Sequence, residues 1–350
     1  MAYYISSHGY GHAARSTVIL EKLAPNFQIH IKSEIPASYF HLYLNGDCSP
    51  VQTQIDVGCV QEDFIRINIE KTFQRLEEFF SRSETLIEQE TQWLQQNKID
   101  LILSDASSLP LKAAHRAGIP SVLICNFTWH DIYSHFPGAE KWQGILDALK
   151  EEYALASLQI LPQCHIVNDV IQNKKEVGFI ARKGKDVKSR LEQVPGISDK
   201  TIVFIYLGDM GAQSVQWENL QQLEDMVFLT RDPLPKNVAN LFVLDDRFLY
   251  QDLIASSDIV CTKAGYSTLS TAFAHDKPVI SCSRENFHEF ATMRDYMSDK
   301  QIGLIMDSTK FFSCDWEDDI RKALKFSVKG KVPLNGEEEV VEILNSLLLS

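Results

Sequence analysis

A chain of 350 residues with 45% hydrophobic content can bury ordinary cores and is long enough for about two domains. Its formal charge of −13, with no basic patch, argues against nucleic acid or an anionic membrane surface as the main partner. The 7 cysteines are odd in number and form no C-x-x-C pair, which speaks for reduced, buried thiols rather than a disulfide frame or a zinc site. No charged leader precedes an apolar stretch, and no apolar run approaches the ~20 residues that span a bilayer, so a soluble cytoplasmic protein without a transmembrane segment is expected.

Residues 2–5 form a short apolar run suited to a buried first strand. Residues 6–16 follow, reading Ser-Ser-His-Gly-Tyr-Gly-His-Ala-Ala-Arg-Ser, and residues 13–23 suit a helix through Val18, Ile19, Leu20 and Leu23. Gly9 and Gly11 permit conformations and close approaches that a side chain blocks, and the helix start offers N–H groups to an oxygen-rich ligand. His8 and His12 add two imidazoles that an anion cradle alone would not need, so chemistry is expected in this loop. As a metal pair they would have to share a helix face, which the two glycines oppose, and no metal site is predicted.

Residues 27–32 alternate as a second strand would, and residues 52–57 suit a third. From Ile69 the apolar positions Phe73, Leu76, Phe80, Ile87 and Leu94 predict a long helix packed on a sheet. Residues 101–104 read as a buried strand ending at Asp105, residues 110–117 as a helix stopped by Gly118, and residues 121–125 as the next strand, followed by residues 126–129. This alternation predicts a parallel sheet with helices on both faces. Ligands bind such sheets beyond the carboxyl ends of the strands, so residues 6–12, Asp105 and residues 126–129 are expected to share one cleft.

A polar stretch over residues 173–200, with a Pro195-Gly196 turn, predicts a boundary near residue 180 and domains at 1–180 and 181–350. The pattern then restarts, with strands at 201–207, 226–229, 241–244, 259–262 and 277–281 and a helix at 248–255. Gly208-Asp209-Met210-Gly211 closes the first of these strands, and Lys263-Ala264-Gly265-Tyr266-Ser267-Thr268 leads from the fourth into a helix. Gly265 suits a tight turn there, while Ser267 and Thr268 can cap the helix and donate hydroxyl hydrogen bonds to a diphosphate. A plain Ser/Thr cap without a ligand is the other reading. One glycine loop per half suggests that both halves serve one ligand. The last helix, over residues 337–348, is too apolar at Val340, Val341, Ile343, Leu344 and Leu347 to stay exposed, and the first domain is a candidate partner.

Taken in order, these segments resemble the two-domain GT-B glycosyltransferases, and in particular the glycosyltransferase-like N-terminal region of plant L-arabinokinases. The matching residues are Tyr3-Tyr4, Gly9-Tyr10-Gly11-His12-Ala13 and Arg15; Asp56, Gly58, Val60 and Gln61; Ser104-Asp105; Ala117-Gly118-Ile119 with Ser121-Val122; Asn126-Phe127, Trp129 and Ile132-Tyr133; and Lys263, Gly265-Tyr266, Thr268 and Ser270. No Gly/Ser-rich phosphate loop of the GHMP kinase type follows residue 295, so sugar kinase activity is not expected.

The resemblance implies two Rossmann-like α/β domains with parallel sheets. It also implies a nucleotide sugar such as a UDP-sugar as co-substrate, no separate cofactor, and a hydroxyl-bearing small molecule or glycan as acceptor. His12 and Asp105 fall at the positions of the general base and its helper, which implies inversion at the anomeric carbon without a metal ion. Donor-binding positions carried over are Gly11, Gly208, Asp209, Lys263, Gly265, Tyr266, Ser267, Thr268, Arg284 and Glu289, and acceptor-binding positions are His8, Asn126 and Trp129. Lys263 and Arg284 add cations to a diphosphate or face solvent; Glu289 contacts the sugar or merely charges a helix start. Relatives often carry a Glu to hold the ribose where this chain has Thr271, which leaves the donor base and activity itself open.

Three other readings stay beside the transferase. A nucleotide-sugar-binding scaffold or sensor would keep the fold without catalysis, and a sugar-nucleotide epimerase can share it. An NAD-dependent oxidoreductase is suggested by Gly9-x-Gly11-x-x-Ala14 with Glu34.

Overall fold

The computed structural model describes residues 1–45, 50–208, 212–234 and 237–349. Contacts divide the chain into two compact units, one of Met1–Val60, Asn68–Ile180 and Asn335–Ser350, the other of Gln61–Ile67 and Ala181–Leu334. Each unit holds one six-stranded sheet in which every neighbouring pair is parallel.

In the first unit the strands are β1 Ala2–Ile5, β2 His30–Lys32, β3 Ile102–Asp105, β4 Ser121–Ile124, β5 Leu158–Pro162 and β6 Lys174–Val177, in the order β2-β1-β3-β4-β5-β6. Every residue of β1, β3 and β4 is buried, as the inner strands of a sheet covered on both faces must be. Alternate side chains serve the two faces. Tyr3, Ile5, Leu103 and Ile124 pack with Ile19, Leu20 and Leu23 of the helix Tyr10–Leu23 and with Val340 and Leu344 of the last helix, Gly336–Leu349. Ala2, Tyr4 and Ile102 pack with Phe79, Ile87 and Leu94 of the helix Ile69–Gln96. That helix starts where the Asn68 side chain accepts a hydrogen bond from the Lys71 N–H at 2.9 Å. The helix Leu109–Ala117 has Pro110 in its first turn and ends on Gly118 in the left-handed region, at φ 71°.

The second unit contains β7 Thr201–Tyr206, β8 Met226–Thr230, β9 Leu241–Val243, β10 Ile259–Thr262, β11 Val279–Cys282 and β12 Gly303–Met306, in the order β12-β11-β10-β7-β8-β9. Val203, Ile205, Phe228, Cys261 and Ile280 pack with Trp217, Phe311 and Trp316, and Phe64 and Ile65 of the 61–67 segment join this core.

Two local expectations are corrected. Residues 52–57 form no strand: one parallel bridge, between Lys32 and Val51, lies just before them, and the stretch itself runs irregularly. The Ile55 carbonyl accepts from the Ser107 hydroxyl at 2.6 Å instead of from a neighbouring strand. The first helix begins at Tyr10, three residues earlier than expected, because Gly9 turns the chain at φ 77° and ψ 163°. Gly11 is harmless inside the first turn, where N–H groups have no intrahelical partner anyway. Among the described residues six cysteines are free and buried; Cys48 lies outside them. No helix among the described residues is long and apolar enough to cross a membrane.

Candidate functional site

The strand order fixes where the first site forms. From β1 the chain moves to one side to make β2 and returns on the other to make β3, so the carboxyl ends of β1 and β3 face a topological switch point. Their register sets Ile5 opposite Asp105, and the Ser6 N–H continues the ladder to the Asp105 carbonyl at 3.3 Å. His12, in the first turn of the next helix, then meets the Asp105 side chain, with Nδ1 2.7 Å from Oδ1.

Asp105 is fully buried and surrounded by donors. Arg15 approaches it through Nε at 3.2 Å and Nη2 at 2.6 Å, and the Ser16 hydroxyl donates to Oδ2 at 2.8 Å. Burial alone would push this carboxyl up, but the charges of Arg15 and His12 and their hydrogen bonds more than offset it and hold the group down at about 2. An ionised carboxylate can only accept, so the His12 nitrogen facing it carries a proton, and Nε2 is the basic nitrogen of the neutral ring.

Aromatic and polar groups pack around the ring. Thr128 and Asp131 form a reciprocal capping box that starts the helix Trp129–Tyr133. The Trp129 ring lies 6.1 Å from His12 and 5.1 Å from His8, and its Nε1–H donates to Asp56 Oδ2 at 3.0 Å. Burial raises the Asp56 carboxyl, opposed by hydrogen bonds from Trp129 and Ser6. His8 Nδ1 accepts from the Cys59 N–H at 3.3 Å, and its ring occupies the space beside Gly58, where a Cβ would come within 2.3 Å of Nδ1. Of the expected acceptor residues, Asn126 and Trp129 are buried, at 1% and 2% exposure, and their polar atoms serve Arg15 and Asp56. His12 retains 8% exposure and Asp56 9%, and Gly11 is exposed. Sequence reading counted Arg15 and Asp56 among the matching residues but gave neither a catalytic role. The signal for Arg15 was its position three residues beyond His12, within a helix stretch otherwise suited to burial.

The second unit has its own switch point, at the carboxyl ends of β7 and β10. Gly208 follows β7 at φ 81°, and a Cβ there would lie 3.1 Å from Nζ of Lys263, which follows β10. The N–H groups of Leu207 and Gly208 donate to Asp232 Oδ2 at 2.9 and 3.0 Å. Asp209, Met210 and Gly211 lie outside the described residues. The turn after β10 is made by Ala264, at φ 54°, rather than by Gly265, which is extended and caps the helix Tyr266–Ala274. Ser267 and Thr268 therefore sit inside the first turn, no side chain caps the helix, and a Cβ on Gly265 would meet nothing within 4 Å. Tyr266 and Thr271 are buried. Arg284 lies over the Phe287 ring at 4.1 Å, and Glu289 is the buried first residue of the helix Glu289–Lys300. These features give an uncapped helix N-terminus with a lysine two residues before its cap, a combination that suits an anion.

No family model matches the sequence. It is similar to L-arabinokinase from Arabidopsis thaliana, at 25% identity over 357 residues that cover 98% of this chain and 34% of that protein. The chain thus spans about a third of the length of this relative. Among solved structures it resembles the calicheamicin glycosyltransferase CalG4, with a TM-score of 0.67, 13% identity and coverage of 99% and 98% of the two chains. The spinosyn rhamnosyltransferase SpnG gives a TM-score of 0.67 at 11% identity over 99% and 100%, and MurG of Acinetobacter baumannii gives 0.59 at 14% over 99% of each chain. The chain has the GT-B fold. Within this GT-B chain the two switch points carry different chemistry, a buried His–Asp pair in one unit and an open helix start beside a lysine in the other.

Proposed function

We propose that the protein is a glycosyltransferase that moves a sugar from a nucleotide-diphosphate sugar to an acceptor hydroxyl, with inversion and without a metal ion, in the cytoplasm. The contact between His12 Nδ1 and Asp105 Oδ1 at 2.7 Å is the observation that carries this reading. His12 Nε2 takes the proton of the acceptor hydroxyl, and the oxygen attacks the anomeric carbon from the face opposite the nucleotide. As the new bond forms, the bond to the diphosphate oxygen breaks and its electron pair leaves with the phosphate. Asp105 stabilises the imidazolium, and general-base assistance of this kind contributes about 10²- to 10⁴-fold. The start of the helix Tyr266–Ala274 and the Lys263 ammonium are proposed to receive the growing negative charge. Gly11, Gly208, Asp209, Gly265, Tyr266, Ser267, Thr268, Arg284 and Glu289 complete the proposed donor set, and His8, Asn126 and Trp129 the acceptor side. A structural neighbour, UGT2 of Phytolacca americana, is complexed with UDP-2fluoro-glucose and pterostilbene, which makes UDP-sugars the first donors to try.

A non-catalytic nucleotide-sugar sensor is the second reading. It is favoured by Asp232, whose carboxylate takes two amides at the end of β7 that a diphosphate would otherwise use, and by Thr271. The test is a thermal-shift screen against UDP-, GDP-, dTDP- and ADP-sugars with NAD and NADP alongside, followed by turnover assays with hydroxyl acceptors in chelator. Stabilisation by one nucleotide-sugar series with turnover is expected. Stabilisation without turnover would favour the sensor, and stabilisation by NAD alone would replace both readings with an oxidoreductase.

A further inference from the structure

The His12–Asp105 pair is not isolated, and its third member has a charge that never leaves. Arg15 is 3% exposed, its Nη1 donates to Asn126 Oδ1 at 2.6 Å, and its Nε and Nη2 reach both oxygens of Asp105. Oδ1 of Asp105 is shared, 2.6 Å from Arg15 Nη2 and 2.7 Å from His12 Nδ1. A guanidinium this deep needs a carboxylate nearby, because an uncompensated buried charge is strongly unfavourable. Asp105 supplies it.

We infer that Arg15 is a positioning residue: it is the permanent counter-ion of Asp105, so that the carboxylate orients the His12 ring without holding that ring protonated. The inference rests on the reading of His12 as base. With Arg15 in place, the charges of Asp105 and Arg15 sum to zero, and His12 gains from the carboxylate a hydrogen bond and a fixed tautomer. Without it, the buried carboxylate would face His12 alone and favour the protonated imidazole, leaving less of the ring as free base at neutral pH.

The other titratable groups facing this cluster do not replace Arg15. Asp56, on the irregular 52–60 stretch, is occupied by Trp129 and Ser6, and burial biases it toward its neutral form. Burial pushes the hydroxyl of Tyr3 in β1 and the thiol of Cys125, just beyond β4, up, so both stay neutral. From the β1 loop, His8 presents Nδ1 to the Cys59 N–H.

The experiment is an NMR titration of the ¹⁵N-labelled His12 ring in the full chain, comparing wild type with Arg15→Gln and Arg15→Lys. The glutamine removes the charge while keeping a donor toward Asp105; the lysine keeps the charge. In Arg15→Gln the His12 midpoint should move up by about one pH unit, the order produced by an opposite charge at short range. Arg15→Lys should stay near wild type, and turnover lost by Arg15→Gln at neutral pH should return at higher pH. A folded Arg15→Gln protein with an unmoved midpoint would reduce Arg15 to a packing role. The titration uses no substrate, so it reads the inference even if no nucleotide sugar is turned over, and that failure would fall on the transferase reading alone. Should Arg15→Gln not fold, the ¹³C carboxyl signal of Asp105 in wild type decides: no inflection is expected near the ordinary value of 3.8 where Arg15 holds the group ionised, and an inflection there or higher would overturn the inference.

Discussion

A carboxylate with no exposure stays charged only where cations and donors replace water, and His12, Arg15 and Ser16 do this for Asp105. Its folded-state value of about 2 lies below the ordinary value of 3.8. The sign follows from linkage: a depressed carboxyl contributes stability that is present above the unfolded value and is lost as pH falls through the folded one. Melting temperature should therefore fall between about pH 4 and pH 2, and Asp105→Asn should flatten that part of the curve while lowering stability by about 3–5 kcal/mol at pH 7 through the orphaned Arg15. An unchanged slope in the variant would place the acid sensitivity elsewhere. Two glycines on this site separate backbone strain from overlap. Gly9, at φ 77° and ψ 163°, occupies a region almost closed to other residues, yet a Cβ there meets nothing within 4 Å. Gly9→Ala should cost about 1–3 kcal/mol from the backbone alone. Gly58 combines φ 65° with a Cβ 2.3 Å from the His8 ring, so Gly58→Ala should cost more by chemical denaturation. The reverse order would mean that the His8 ring yields.

At the scale of elements, the last helix illustrates what a pattern can and cannot tell. Its apolar positions announce that Gly336–Leu349 needs a partner, but an amphipathic stripe does not name one. Lys22 and Glu338 form an ion pair across 316 residues, and the Gly178 N–H donates to Glu339 at 2.7 Å. These are long-range facts with no local trace. Val340 and Leu344 are fully buried against the first unit's sheet and first helix. Leu344→Ala should cost about 2–5 kcal/mol, measured by urea denaturation; a near-zero value would mean that the helix docks loosely. The inner strands β1, β3, β4, β7, β8, β10 and β11 were legible because their apolar runs are continuous and bounded by polar loops; the equally buried inner strand β5, Leu-Gln-Ile-Leu-Pro, was missed because Gln159 breaks its run and Pro162 ends it. Strand β6, Lys-Lys-Glu-Val at a sheet edge, was not, since half of it faces water and no run exists to read. Residues 52–57 misled for the opposite reason: Ile55 is buried as in a strand, but a side chain takes its carbonyl's hydrogen bond.

For the molecule as a whole, the decisive information was strand order. The glycine loops, His12, Asp105 and Lys263 were all visible as residues, but which loops meet depends on each sheet reversing direction at its first strand. That reversal brings β1 and β3 together in one unit and β7 and β10 in the other. If the two switch points divide the work as proposed, substitutions in them should fail in different ways. His12→Ala removes a base and leaves the second unit's helix start untouched, so turnover should drop by about 10²- to 10⁴-fold while the nucleotide-sugar rise in melting temperature persists. Lys263→Ala removes an ammonium beside Gly208 and should shrink that rise at fixed ligand concentration. The double variant should then show the melting response of Lys263→Ala alone, because His12 adds nothing to donor affinity for the second substitution to remove. If His12→Ala by itself abolished the donor-induced rise, the His12 side chain would be holding the nucleotide sugar, and its assignment as a base that adds nothing to donor affinity would fail.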